Sequence, residues 1–395
     1  MISMRSVVQI VFVLCAVMLL GCSAPPYDYC QSGTKPDLAC YRQKRKPDSA
    51  NIALAKRIAD RQIKRQSADE VKWNWEEAVM MSGFMELHKL TGDAKYQKYY
   101  QDWMNHHIKL GYRIYSSDSC APAMIAVDLL KNTKDAKYQK VLDDALHFLN
   151  KEAARTKEGG INHLGKVTDF GITLWLDSLY MFGEIFIRLG ETKDDAKFLD
   201  EYKKQYLIFA KLLQQKDGWF VHAHQWAAEV DKDIYWARGN SWVTASAFDY
   251  LRVRKIRGEE DAEVLTSIKK QADAIVAAQD KESGLWWNLV NRPGKIYKET
   301  SGSALFVYGL ARGYRYGFLD ASVLPIIHKG IAGVQKQIKD NAKGEPVIHG
   351  ISGPTNAGTY DIYARVKLEE DLPFGVGAVL LALIETSGLP KDTNQ

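Results

Sequence analysis

Two aspartates stand at the openings of apolar helical runs, where a carboxylate can take part in acid–base chemistry. Asp177 lies two residues after Trp175 in the segment Leu174–Met181, and Asp118 opens an earlier apolar run. Burial without a full partner raises the pKa of a carboxyl group and lets it donate a proton near neutrality. An aspartate at a helix start can instead accept backbone N–H groups as a cap. The segment around Asp177 by itself supports both interpretations.

An arginine between two tryptophans opens another apolar run. Arg238 lies between Trp236 and Trp242. The planar guanidinium suits a carboxylate, and indole faces suit sugar rings. The alternative is an arginine stacked on tryptophan for packing alone. Aromatic rings beside a planar cation at a cavity mouth favour carbohydrate binding, and we assign all three residues to substrate binding.

Histidines near these clusters are further candidates for substrate binding. His222 and His224 precede the arginine cluster, and His163 lies near Lys166 in a glycine-containing loop. Each could hydrogen-bond a sugar hydroxyl or orient water, although an isolated histidine is also common in a structural role. The sequence leaves the choice between His222 and His224 open. No His/Cys spacing resembles a metal site, so we expect no metal.

These residues sit within a repeat of paired helices with a period of roughly 40–60 residues. Its connectors resemble one another, as in 91–96, 134–138 and 193–198. The first helix of each pair is poor in charge, as a helix buried on all sides should be, and the second carries charges on one face. Six such hairpins can close into a ring, which predicts an all-α fold with the inner helix starts at one mouth.

The pattern also predicts where the helices lie. We expect inner helices over 78–90, 121–130, 174–189, 241–253, 303–316 and 376–385. We expect outer helices over 96–110, 138–153, 196–213, 262–279 and 323–338, with 52–66 as the outer partner of the last inner helix. No Pro- or Gly-rich linker separates the repeats, so residues 51–390 are predicted to form one domain.

The N-terminal segment resembles a bacterial lipoprotein signal. Arg5 precedes an apolar run over 7–20 that ends in Leu-Leu-Gly before Cys22. We predict a signal peptide over 1–21, a tether over 22–50, and membrane attachment through lipid on Cys22 in a bacterial envelope, at the outer membrane or in the periplasm. Cys30 and Cys40 are the obvious disulfide pair by proximity. The net charge is +5, and basic and acidic residues are interspersed along the chain. A nucleic-acid-binding surface would instead show clustered basic residues.

The chain resembles the unsaturated glucuronyl and rhamnogalacturonyl hydrolases of glycoside hydrolase families 88 and 105, most closely family 105. The resemblance runs from about Asn74 to Glu385, and its matching stretches are 175–181, 236–242, 299–313 and 371–385. It implies an (α/α)6 barrel with no metal and no organic cofactor. It also implies that Asp177 is the catalytic acid, Asp118 the second active-site aspartate, Trp175 a stacking residue and His222 the active-site histidine.

The implied reaction is hydration of the C4=C5 double bond that polysaccharide lyases leave on a nonreducing uronate. The substrate would be an oligosaccharide carrying that unsaturated uronate, and Arg238 or a neighbour would hold its carboxylate. Two alternatives remain open. An ordinary glycosidase would use Asp118 and Asp177 to flank a saturated glycosidic bond. A noncatalytic lipoprotein would bind glycans at an aromatic barrel mouth without cutting them.

Overall fold

Paired helices account for most of the chain in the computed structural model, which describes residues 31–32, 35–36, 45–193, 195–226 and 228–390. The helices are α1 (Ala50–Arg65), α2 (Trp75–Thr91), α3 (Ala94–Leu110), α4 (Ser117–Cys120), α5 (Ala123–Thr133), α6 (Ala136–His147), α7 (Ser178–Met181), α8 (Gly183–Thr192), α9 (Ala196–Leu213), α10 (Ala237–Ile256), α11 (Ala262–Ala278), α12 (Thr300–Arg315), α13 (Leu324–Lys336), α14 (Tyr360–Arg365) and α15 (Pro373–Thr386).

Six of these helices form a closed inner ring. Going round the ring, α2, α5, α8, α10, α12 and α15 each contact the next, and α15 contacts α2. Each inner helix packs against an outer partner, respectively α3, α6, α9, α11, α13 and α1. The predicted all-α barrel of six hairpins is therefore confirmed, including closure of the ring by the first helix of the repeat region.

Local sequence explains how the repeats turn and pack. Asp93, Asp135 and Asp195 each cap an outer helix by accepting the backbone N–H of the lysine two residues later, which satisfies a donor at the helix start. In the inner ring, a Cβ on Gly377 would lie 2.3 Å from the carbonyl oxygen of Val79. Glycine therefore permits the backbones of α15 and α2 to approach each other closely.

The two ends of the barrel differ in character. The starts of the inner helices meet at an aromatic end, where Trp75 packs against Phe374 with ring centroids 4.9 Å apart. At the other end, charged side chains near the ends of the inner helices surround a cavity of about 530 Å³. There Glu385 accepts hydrogen bonds from Arg45 and Arg312 at 2.6 and 2.7 Å. This ion-pair network ties the inner helices to the segment that precedes α1.

The prediction of one continuous helix over 174–189 was wrong at its start. Leu174–Trp175 forms strand β3, which pairs antiparallel with Ala223–His224, strand β4. This pairing uses the backbone groups of 174–175 in a ladder, so α7 begins only at Ser178.

The other strands are equally short. They pair as β1 (Gln31–Ser32) with β2 (Lys35–Pro36), β5 (Trp286–Trp287) with β6 (Lys298–Glu299), β7 (Ile338–Asp340) with β8 (Pro346–Ile348), and β9 (Ile351–Ser352) with β10 (Leu368–Glu369).

Several predictions concern residues outside those that the structure describes. The signal peptide over 1–21, the lipidated Cys22 and the Cys30–Cys40 pair all lie there. The division into a signal, a tether and a domain over 51–390 stays a prediction. Cys120 is a buried free thiol. Within the described ranges, no helix is both long and apolar enough to cross a membrane.

Candidate active site

Asp177 lies between strand β3 and helix α7, and its carboxylate does not cap the helix. The structure therefore favours the chemical interpretation of this residue over the capping one. Its side chain is 14% exposed. The β3–β4 pairing brings the following segment alongside, because Leu176 donates its backbone N–H to the carbonyl of His222 at 3.1 Å. A long-range strand pairing thus places a histidine beside the carboxylate.

His222 is fully buried and joins Asp177 to a tyrosine from a distant loop. Its Nε2 lies 3.3 Å from Oδ2 of Asp177, and its Nδ1 lies 3.0 Å from the hydroxyl of Tyr363. Burial lowers the pKa of His222, although the hydrogen bond with Asp177 opposes this. A neutral imidazole has one N–H, and a carboxylate can only accept. Nε2 therefore donates to Asp177, and Nδ1 accepts from Tyr363.

Asp118 occupies a comparable position on the neighbouring short helix α4. Ser116 caps that helix, so the Asp118 carboxylate is not the capping group. The Asp118 side chain is 31% exposed. Its Oδ2 lies 3.8 Å from Nε2 of His163. The other ring nitrogen of His163, Nδ1, lies 3.0 Å from the hydroxyl of Ser178, the residue after Asp177. The structure thus brings both aspartates and both predicted histidines into one cluster.

The two aspartates have opposite electrostatic environments. Burial raises the pKa of Asp118; the neighbouring His163 opposes this shift and the charge of Asp177 adds to it. Burial would also raise the pKa of Asp177, but the hydrogen bond and charge interaction with His222, together with His163, hold it below its usual value. The prediction of a raised Asp177 pKa was therefore wrong, since the sequence did not reveal the hydrogen bond from His222.

Trp175 forms the aromatic wall beside these carboxylates. Its indole stacks on the ring of His163, with centroids 4.7 Å apart and planes within 4°. It meets His222 edge-on at 5.2 Å. The carbonyl of His224 accepts a hydrogen bond from the hydroxyl of Thr173. Of the two candidate histidines, His222 is the one whose ring contacts an aspartate of this cluster.

Arg238, which the sequence predicts to bind a substrate carboxylate, has protein partners in the structure. Its side chain is fully buried, and its Nη1 and Nη2 donate to the carbonyls of Ser352 and Gly353, both at 2.7 Å. Nη1 also lies 3.7 Å from a carboxylate oxygen of Glu299. A buried guanidinium needs such partners to offset desolvation. Arg238 therefore fixes the loop that follows strand β9.

The three other predicted binding residues contact protein groups in the structure. Trp236 is buried and packs on His222 with ring centroids 4.3 Å apart. Trp242 is buried against Tyr180 at 4.8 Å. Lys166 is exposed and pairs with Glu152 at 3.1 Å. Each prediction rested on residue type next to a helix start or a loop, and a binding role for these three residues stays a prediction.

Sequence reasoning missed three aromatic residues near this site. Tyr363 lies 141 residues after His222 and carries no local signal. Phe170 and Trp226 stack on each other with ring centroids 5.1 Å apart. The concentration of aromatic residues over 217–238 was a signal for Trp226, but the loop that contains Phe170 carries no such signal. Within the described ranges, no group of three or more His, Cys, Asp and Glu side chains could hold a metal ion.

Comparison with known proteins gives consistent matches over nearly the whole helical region. The family model for Glycosyl Hydrolase Family 88 matches residues 54–389. The chain is 23% identical over 334 residues to the unsaturated rhamnogalacturonyl hydrolase YesR of Bacillus subtilis, covering 83% of this chain and 93% of that protein. It is 27% identical over 217 residues to an unsaturated 3S-rhamnoglycuronyl hydrolase of an Alteromonas species, covering 53% of this chain and 50% of that one.

A solved structure shares the fold. The crystal structure of a possible member of family GH105 from Salmonella enterica superposes with a TM-score of 0.74 at 23% identity, covering 86% of this chain and 96% of that one. The helical barrel and the family match agree with each other. The chain belongs to glycosyl hydrolase family 88.

Proposed function

We propose that the protein hydrolyses oligosaccharides that carry an unsaturated uronate at the nonreducing end. The observation that carries this proposal is the Asp177 carboxylate, which caps no helix, touches His222 and follows the aromatic wall of Trp175. Membership of family 88 and the unsaturated uronyl hydrolases among its relatives agree with it. The reaction adds one water molecule and needs no oxidant or reductant.

In the proposed mechanism, Asp177 protonates C4 of the C4=C5 double bond. The positive charge that develops at C5 is shared with the ring oxygen, and water then adds at C5. The ionised Asp177 takes up the proton that the adding water loses, which restores the acid and leaves a hemiketal. The hemiketal opens at the C5–O5 bond and releases the neighbouring sugar from C1. Asp118 positions the substrate or the water, and His222 holds the Asp177 carboxylate through the Nε2 hydrogen bond.

Substrate binding itself favours the protonated form of Asp177 that the mechanism needs. Burial favours a raised pKa for Asp177, but hydrogen bonding by His222 holds that pKa below its usual value. A uronate carboxylate entering the site places a further negative charge nearby, which disfavours ionised aspartates and raises the pKa of both Asp118 and Asp177. Displacement of water by the sugar acts in the same direction. Asp177 therefore takes up its proton when the substrate binds.

The proposed activity is tested with disaccharides produced by polysaccharide lyases. Hydration removes the conjugated enol acid, so the ultraviolet absorbance of the unsaturated uronate should fall with time when the protein is added. The matched control is the same disaccharide with its double bond already reduced, which should not be cleaved. Cleavage of the reduced substrate would support an ordinary glycosidase, and binding of the unsaturated one without turnover would support a noncatalytic glycan-binding protein.

We also propose attachment to a bacterial envelope membrane through lipid on Cys22. The motif Leu19-Leu20-Gly21-Cys22 after a short apolar run supports this proposal. A fatty-acid probe should label the wild-type chain expressed in a bacterial host with a lipoprotein pathway, and Cys22→Ala should remove the label. Equal labelling of the two chains would contradict the proposal. Cys120→Ala serves as the control, because that thiol is buried.

A further inference from the structure

Two aromatic side chains, exposed Phe170 and partly buried Trp226, stack at the rim of the candidate active site. The rings of Phe170 and Trp226 lie 5.1 Å apart with planes 22° from parallel. Phe170 is 52% exposed, an unusual degree for a phenylalanine. Exposed aromatic surface beside a binding site commonly marks a contact with a ligand.

This stack continues the aromatic wall of the catalytic cluster. Trp226 meets Trp175 edge-on, with ring centroids 4.9 Å apart. Trp175 in turn stacks on His163, whose ring nitrogen faces Asp118. The stacked rings are therefore one indole away from the carboxylates. A sugar joined to the reacting uronate would reach them.

Hydrogen bonds hold the two segments that carry the stack. Asn162 donates from Nδ2 to the carbonyls of Gly165 and Lys166 and accepts the backbone N–H of Thr173, which fixes both ends of the loop that contains Phe170. Thr173 also donates its hydroxyl to the carbonyl of His224, two residues before Trp226. The platform is therefore organised before a ligand binds, which lowers the entropy cost of binding.

The charges next to the platform do not favour an anionic ligand. Lys166 is the only cation between Gly165 and Gly171, and it already pairs with Glu152 at 3.1 Å. Asp169 lies next to Phe170 in the chain and adds a negative charge. A sulfated or carboxylated ring would meet this negative charge without an unpaired cation from the same loop.

We propose that the Phe170–Trp226 platform binds an uncharged sugar ring on the leaving-group side of the reacting uronate, by stacking against the C–H face of that ring. The proposal rests on the proposed function and specifies its substrate class. An unmodified neutral hexose or 6-deoxyhexose fits the platform, and its sulfated counterpart is the poorer substrate.

Three substrates with the same unsaturated uronate test the proposal: the methyl glycoside, a disaccharide with unmodified rhamnose, and the same disaccharide with 3-sulfated rhamnose. For the wild type, kcat/KM should be highest for the neutral disaccharide. In Phe170→Ala, the ratio of kcat/KM for the neutral disaccharide to that for the methyl glycoside should fall roughly tenfold, since burial of an aromatic side chain contributes at least that factor. Phe170→Tyr keeps a ring and should restore the ratio.

Val167→Ala is the matched control, because Val167 lies on the same loop and is 66% exposed without a ring. Its ratio should equal that of the wild type. An unchanged ratio in Phe170→Ala, or a wild-type preference for the sulfated disaccharide, would overturn the proposal. A wild type that turns over none of the three substrates would contradict the proposed function instead. Calorimetric binding of the neutral disaccharide, weakened by Phe170→Ala, would still support the platform in that case.

Discussion

Replacing Asp177 with asparagine should lower turnover of an unsaturated uronyl disaccharide by about 10²–10⁴-fold, the range that general acid catalysis contributes. Asparagine keeps the shape of the side chain and can accept a hydrogen bond from His222, but it cannot deliver a proton. Because the Asp177 side chain makes no capping hydrogen bond, folding should survive the change. Steady-state absorbance assays measure the turnover, and thermal denaturation followed by circular dichroism checks the fold.

Isotope incorporation separates the acid role from a general loss of activity. Wild-type turnover in deuterated water should place one deuterium at C4 of the product, since the proton comes from a carboxyl group in exchange with solvent. Asp135→Asn is the matched control, because Asp135 is a helix cap that asparagine replaces well; its turnover should be normal. Near-normal turnover in Asp177→Asn would contradict both the acid assignment and the hydration mechanism.

Replacing Glu385 with alanine should reduce the free energy of unfolding by about 3–5 kcal/mol, the cost of breaking a buried ion pair from one side. Glu385 is fully buried at the end of the barrel opposite the candidate site. In addition to the hydrogen bonds from Arg45 and Arg312, Glu385 accepts a hydrogen bond from Nε of Arg315 at 3.1 Å. The alanine variant leaves three guanidinium groups with one partner fewer, and two of them belong to the inner helix α12.

The same carboxylate should make stability depend on pH in the acid range. Burial would raise the pKa of Glu385, but Arg312, Arg45 and Arg315 lower it to about 2. A carboxyl group with a depressed folded-state pKa stabilises the protein above its unfolded pKa. That contribution is lost as pH falls from about 4.5, the ordinary value for glutamate, towards 2. Glu385→Gln should therefore flatten this part of the pH dependence.

Denaturant unfolding of the wild type and both variants measures these effects. Glu263→Ala is the matched control, because Glu263 is a largely exposed partner of Lys203 on the outer helix α11. Exposed pairs contribute about 0–1 kcal/mol, so its unfolding midpoint should stay near that of the wild type. A loss in Glu385→Ala no larger than in this control would show that the buried network does not hold the barrel together.

Local sequence determined the helical barrel but not every helix boundary within it. Helix propensity, the low charge of the inner helices and the aspartate caps are short-range properties, and they were sufficient to predict six hairpins in order. Closure by α1 and α15 also followed, since each needed a partner for its apolar face. The start at Leu174 was mispredicted, because apolar residues suit a buried strand as well as a helix, and only pairing with Ala223–His224 decides between them.

The residues of the candidate site show the same division between local sequence and tertiary structure. The sequence indicated Asp177, Asp118, Trp175 and the histidines, because polar groups at the starts of apolar helices must meet at one mouth. Only the tertiary structure decided that His222 faces Asp177 and that Tyr363 lies behind it. It also buried Arg238 against carbonyls more than 110 residues away. Residue type sets what a side chain can do, but its partners come from distant segments, so its accessibility and pKa follow from the fold.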